Sequence, residues 1–123
     1  MYDHIGLRVK DLKAAANFYT AVLAPLGHVP GPSGSNYAGF GPKGAPALWL
    51  HAREAKPGEK LLGAHVCFRA KDRAAVNTFH AACLKAGGQD NGRPGLRTEY
   101  SPTYYGAFVI DLDGNNIEAV CHT

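Results

Sequence analysis

The chain has 123 residues and a mass of 13.1 kDa, enough for one domain with a real core. Hydrophobic residues make up 46% and charged residues 19%, which excludes wholesale disorder. The formal charge of +3 is scattered without a basic run, and no apolar stretch reaches membrane-spanning length, so neither nucleic acid nor membrane is an expected partner.

The first element is HIGLRV, in which Ile5, Leu7 and Val9 alternate with His4, Gly6 and Arg8, the period of a strand with one apolar face. A chain that enters a strand pattern at once is not expected to carry a secretory leader. Asp11 is placed to cap a helix along which Leu12, Ala15, Tyr19, Val22, Leu23 and Leu26 recur at helical spacing, and Gly27 ends it. NYAGFG and PALWLHA follow as strand-like runs around the turn PKGA. REAKPGEKLLG then reads as a linker.

Beyond it the pattern starts again. Shifted by 61 positions, HIGLRVKDLKAAANFYTAVLAPLG lies over HVCFRAKDRAAVNTFHAACLKAGG without a gap. His4/His65, Arg8/Arg69, Asp11/Asp72, Phe18/Phe79, Leu23/Leu84 and Gly27/Gly88 are identical pairs, so the chain contains a duplication. In the second copy Val66, Phe68 and Ala70 form the apolar strand face, and Val76, Phe79, Cys83 and Leu84 the helix stripe. QDNGRPGLRTEYSPT reads as a long surface loop or lid. YYGAFVIDL and NIEAVCH close the chain around DGN, a hairpin signal. The predicted architecture is α+β, with two βαβββ modules at 1–53 and 63–123. Neither is large enough to bury its sheet alone, so each should pack on the other or on a second chain.

If the apolar strand faces lie under the helices, His4 and His65 point the other way, toward a hollow between curling sheets. In NIEAVCH the apolar set Ile117, Ala119 and Cys121 belongs under the helix, which turns Glu118 toward the same hollow. A carboxylate in a cavity needs a partner, and two imidazoles with one carboxylate make a facial triad for a divalent ion such as Zn, Ni, Mn or Fe(II). His51 shares the phase of Trp49 and is the best candidate for proton transfer, or else a solvated histidine at the strand end. Trp49, Tyr104 and Phe108, with Tyr100, are candidate aromatic walls. Arg8 and Arg69 share the phase of the histidines and could meet an anionic substrate, or form ion pairs at the strand ends. Cys67, at that phase too, reads as a small buried filler. His28, His80 and His122 receive no catalytic role. Cys67, Cys83 and Cys121 are odd in number and form no CxxC, so a disulfide framework is not expected and a reducing cytoplasm is.

DHIGLRVKDLKAAANFYTAVLAPLG, GAHVCFRA and FVIDLDGNNIEAV together resemble the vicinal oxygen chelate superfamily, which holds glyoxalase I, extradiol dioxygenases, fosfomycin- and bleomycin-resistance proteins and methylmalonyl-CoA epimerase. The resemblance covers nearly the whole chain and implies a curved mixed sheet around a central cavity. It implies metal ligands at His4, His65 and Glu118, chelation of two neighbouring substrate oxygens, and a homodimer. The glyoxalase I and epimerase branches add a fourth ligand on the last strand of the first module, where this chain has Trp49, which cannot coordinate. Of the residues by which the fosfomycin branch holds its drug, Gly6 replaces a Thr and Phe108 a Tyr. The expected function is therefore a small metal-dependent glyoxalase-like enzyme of lyase, isomerase or dioxygenase type acting on a small-molecule substrate. The alternative is a metal-free binding or sequestering protein of the bleomycin-resistance kind.

Overall fold

The computed structural model describes residues 1–54, 56–59 and 63–123. The expected linker at 53–63 includes positions 55 and 60–62, which lie outside the described residues. The order of elements is β1 (Ile5–Val9), α1 (Leu12–Leu23), β2 (Val29–Ser33), β3 (Tyr37–Gly41), β4 (Leu48–Ala52), β5 (His65–Arg69), α2 (Arg73–Lys85), β6 (Gln89–Leu96), β7 (Tyr105–Ile110) and β8 (Asn116–Cys121). A single 3₁₀ turn, Ala24–Leu26, extends α1.

Each module is a four-stranded mixed sheet, ordered β1-β4-β3-β2 in the first and β5-β8-β7-β6 in the second. In both, the first strand runs parallel to the last and the remaining neighbours are antiparallel. A parallel pair needs a crossover, and the helix after β1 or β5 supplies it.

The helices begin where the capping pattern predicts. The Asp11 carboxylate accepts from the Ala14 N–H at 3.0 Å and Asp72 from Ala75 at 2.8 Å, each satisfying a helix-end donor. Gly27 (φ 84) and Gly87 (φ 101) provide the left-handed residue after each helix. Ala15, Phe18, Tyr19, Val22 and Leu23 bury one side of α1, while Leu12 and Leu26 are half-buried. On α2 the buried stripe runs Ala75, Val76, Phe79, His80 and Cys83. Leu84, expected in that stripe, is 41% exposed, because the stripe turns through His80 instead. The His80 imidazole lies 2.9 Å from Asp90, which satisfies its buried nitrogen.

The two apolar faces merge into one core in which Leu7, Val9, Phe18, Phe40 and Leu50 join Val76, Phe79, Val109, Ile117 and Ala119. Removing such side chains from water contributes roughly 1.5–3 kcal/mol each. Where β1 meets β5, a mainly apolar cavity of about 210 Å³ remains between Ile5, Leu23 and Leu48 on one side and Val66 and Phe68 on the other, with His28 at its wall. Polar bonds also cross between modules. The Tyr19 hydroxyl donates to Asp111, and the Lys10 N–H donates to Asp113 at 3.0 Å. Asp111 is fully engaged, since it also accepts from the backbone N–H groups of Asp113 and Asn115 and from the Asn115 amide.

Two segments depart from expectation. VPGPS forms β2, and QDNGRPGL, expected as loop, forms β6; only the stretch beyond Leu96 stays irregular before β7. Both are edge strands with register shifts, the one place in a sheet that accepts proline and strained glycine. Gly92, at φ 153, marks one such irregularity.

Candidate functional site

Strand alternation puts Trp49, His51, His65, Phe108 and Glu118 opposite in phase to the core residues of their strands, while His4 and Tyr104 stand immediately before β1 and β7. The chain nevertheless divides them between its two modules. On the second module β5 and β8 lie side by side in parallel register, with Cys67 opposite Glu118 and His65 opposite Asn116. His65 Nε2 stands 3.0 Å from Glu118 Oε2, and the Tyr104 hydroxyl donates to Glu118 Oε1. The Glu118 side chain is 2% exposed, whereas that of His65 is 54% exposed. A buried carboxylate is tolerable because both its oxygens are engaged. Gly106 leaves the room it needs, since a Cβ there would stand 3.3 Å from Glu118 Oε1.

Tyr104 is held neutral. Burial and the Glu118 carboxylate push its hydroxyl well above the ordinary tyrosine range, so it remains a donor. Cys67, expected as a small buried filler, is instead an exposed residue of β5. Partial desolvation of its thiol and the Glu118 carboxylate opposite push it up to about 12, so it stays protonated at neutral pH. Phe108, directly opposite Glu118 on β7, lies with its ring 6.3 Å from the His65 ring. Tyr100 and His122 meet Tyr104 edge-on at 5.1 and 5.4 Å. His65, Glu118, Tyr104 and Phe108 are thus brought together, and His122, assigned no role from sequence, supports the tyrosine.

The first module carries His4, Trp49 and His51, together with Tyr37. They line an open hollow of about 490 Å³ with Asp3 and Pro46. Trp49 lies over Gly39, where a Cβ would fall 2.6 Å from the indole, and its ring is 6.2 Å from that of Tyr37. His51 lies over Gly6, where a Cβ would stand 3.3 Å from its ring. The His4 side chain is 58% exposed and its Nδ1 bonds Asp3 at 2.6 Å. Strand register makes the two modules comparable: Trp49 lies opposite Gly6 as Glu118 lies opposite Cys67, and Gly6 and Cys67 are repeat equivalents. Trp49 therefore occupies in the first module the place that Glu118 occupies in the second.

Among the described residues no group of three or more His, Cys, Asp or Glu side chains is positioned to hold one ion. His65 and Glu118 are together; His4 is in the other half. Arg8 and Arg69 are exposed and form no ion pair among the described residues. Two neighbours of the site were not anticipated. Tyr37 could have been found from the alternation in NYAGFG, which sets it on the face of Trp49. Arg97, whose guanidinium lies 5.6 Å from the Phe108 ring centre, was hidden by the reading of its segment as loop.

The family model described as Glyoxalase/Bleomycin resistance protein/Dioxygenase superfamily matches residues 2–119. No curated protein matches the chain. Among solved structures, a glyoxalase/bleomycin resistance protein from Albidiferax ferrireducens T118 is 28% identical with a TM-score of 0.80, covering 98% of both chains. A glyoxalase/bleomycin resistance protein/dioxygenase family enzyme from Burkholderia phytofirmans PsJN is 14% identical with a TM-score of 0.74, again over 98% of both chains. A glyoxylase/bleomycin resistance protein/dioxygenase domain from Frankia sp. EAN1pec is 18% identical with a TM-score of 0.70, over 98% of this chain and 95% of that one. At their identities, the last two show the likeness of fold alone. No helix among the described residues is long and apolar enough to cross a membrane.

Proposed function

The chain belongs to the glyoxalase/bleomycin resistance protein/dioxygenase superfamily, and from that membership we propose that it is a small divalent-metal-dependent enzyme of lyase, isomerase or dioxygenase type. Its substrate is a small molecule presenting two neighbouring oxygens. The observation that carries this reading is the His65–Glu118 pair, an exposed imidazole set on a buried carboxylate that Tyr104 holds in place.

Imidazole nitrogen and carboxylate oxygen are the donor types that suit Zn, Ni, Mn or Fe(II), and the two stand close enough to share an ion once the proton between them is released. His4 is the third donor of the proposal. It stands in the other module, so the reading requires a homodimer in which His4 of the partner subunit approaches His65 and Glu118. A twofold axis would build that contact twice. When bound, the ion supplies Lewis acidity to the chelated oxygens. The protein's residues do the rest: Tyr104 fixes the orientation of Glu118 and Phe108 excludes water beside it. Trp49 and His51, which line the hollow of His4, would enter the site together with that histidine, Trp49 to exclude water and His51 to hold or deliver a proton. The three cysteines are unpaired, in keeping with a reducing cytoplasm.

Metal content of protein purified without a histidine tag tests this. About one divalent ion per chain is expected, falling below about a tenth in His65→Ala and Glu118→Gln. Less than a tenth in the wild type would overturn the metal reading in favour of a metal-free binding protein. Mixing His4→Ala with His65→Ala chains then tests the shared site. Each variant alone lacks every complete site, but a mixed dimer regains one of two. No regain after subunit exchange would place the site within one chain.

A further inference from the structure

We propose that Arg97 is an anion-recognition residue of this site, and that the substrate carries a carboxylate in addition to its chelating oxygens. This deepens the reading above and rests on it. Arg97 follows β6 at the base of the irregular segment whose far end is Tyr104, and its N–H bonds the Tyr104 carbonyl at 2.8 Å. The residue that delivers the hydroxyl to Glu118 is therefore tied directly to Arg97. The path from Arg97 to the metal-ligating pair is short, for Phe108 lies under the guanidinium and beside the His65 ring.

The guanidinium is held in a cradle. Its Nη2 donates to the Arg93 carbonyl at 2.6 Å. It fills space left by two glycines: a Cβ on Gly92 would stand 3.3 Å from Nη2, and one on Gly95 would stand 3.1 Å from Nη1. The ring of Phe108 closes the other side, a cation–π arrangement. No carboxylate pairs with Arg97 among the described residues. Arg53 pairs with Glu59 and Arg73 reaches the Thr123 carbonyl, so the other anchored arginines have oxygen partners away from the site. A half-buried guanidinium, pinned on three sides and using one donor on a backbone oxygen, keeps a fork of N–H groups for a planar anion. The carboxylate beside Phe108, Glu118, is already engaged by His65 and Tyr104.

The test titrates the full-length apoprotein, in chelator, with benzoate and with its neutral isostere benzamide, followed by amide NMR. Benzoate should shift the signals of Arg97, Tyr104 and Phe108, and benzamide should bind about 10-fold more weakly. In Arg97→Gln the benzoate affinity should fall to that of benzamide, with Arg97→Lys between the two. Equal binding of the two compounds by wild type overturns the proposal, as does unchanged benzoate binding by Arg97→Gln, or no response to benzoate up to about 20 mM. If Arg97→Gln does not fold, the wild-type comparison and Arg97→Lys decide. Metal content separates the two readings. If only the carboxylate proposal fails, wild type and Arg97→Gln still hold the ion; if the metal reading fails, wild type holds none.

Discussion

Tyr19 and Asp111, on α1 and at the end of β7, join the two modules through a buried hydrogen bond between positions far apart in the chain. Burial and the adjacent Asp111 push the tyrosine far above its ordinary range, so it donates at every working pH. Tyr19→Phe should cost about 1–3 kcal/mol in urea unfolding, because Asp111 loses a donor it cannot replace with water. A change below about 0.5 kcal/mol would mean that the bond adds nothing net.

The duplication makes a matched pair of core tests. Phe18 and Phe79 are repeat equivalents, 2% and 0% exposed, in one continuous core. Each change to Ala should destabilise by about 3–5 kcal/mol, with both modules unfolding together. Two separate unfolding transitions in either variant would show that the modules do not share their core.

Trp49 is the single tryptophan of the chain, so its fluorescence reports its seat without ambiguity. Gly39→Ala would set a methyl 2.6 Å from the indole, which must then swing outward. The expected outcome is a red-shifted emission and a loss of about 1–3 kcal/mol from overpacking. An unchanged spectrum would contradict the stacking of indole on glycine.

His28 predicts an acid-side weakness. Its Nδ1 is buried without a hydrogen-bond partner among the described residues, and burial lowers its pKa below the ordinary 6.5. The unfolded chain therefore takes up a proton, as pH falls through about 6.5, that the folded ring refuses, and stability drops from there down to the folded pKa. His28→Gln should flatten the fall in Tm between about pH 7.5 and pH 5.5. Equal slopes for both proteins would remove His28 as the cause. Asp90 acts elsewhere: bonds from His80 and the Gly92 N–H hold it below 3.8, so its contribution is present above that value and lost only as pH falls further.

Strand parity carried most of what could be read in advance. A period of two assigns each of His4, Trp49, His51, His65, Phe108 and Glu118 to a face, and the internal repeat supplies the topology and the caps at Asp11 and Asp72. What parity cannot say is which face meets which. His4 and His65 are equivalent positions of the two modules, so whether they meet depends on how the modules pack, which periodicity does not decide. The edge strands β2 and β6 were obscured for another reason. Pro30, Pro32, Gly92 and Pro94 are strand breakers in the interior of a sheet but are tolerated at its rim. Reading β6 as loop also concealed Arg97, whose position depends on the strand that precedes it.

The equivalence of Trp49 and Glu118 has a stereochemical consequence. Two halves built on one plan would offer a near-symmetric compound two interchangeable poses. Here one half presents an indole and the other an acid at equivalent register positions, so the internal repeat of the backbone is broken chemically there. At the proposed site, a compound with similar ends would therefore meet an indole at one end and a carboxylate at the other, which would favour one sense of binding over its reverse.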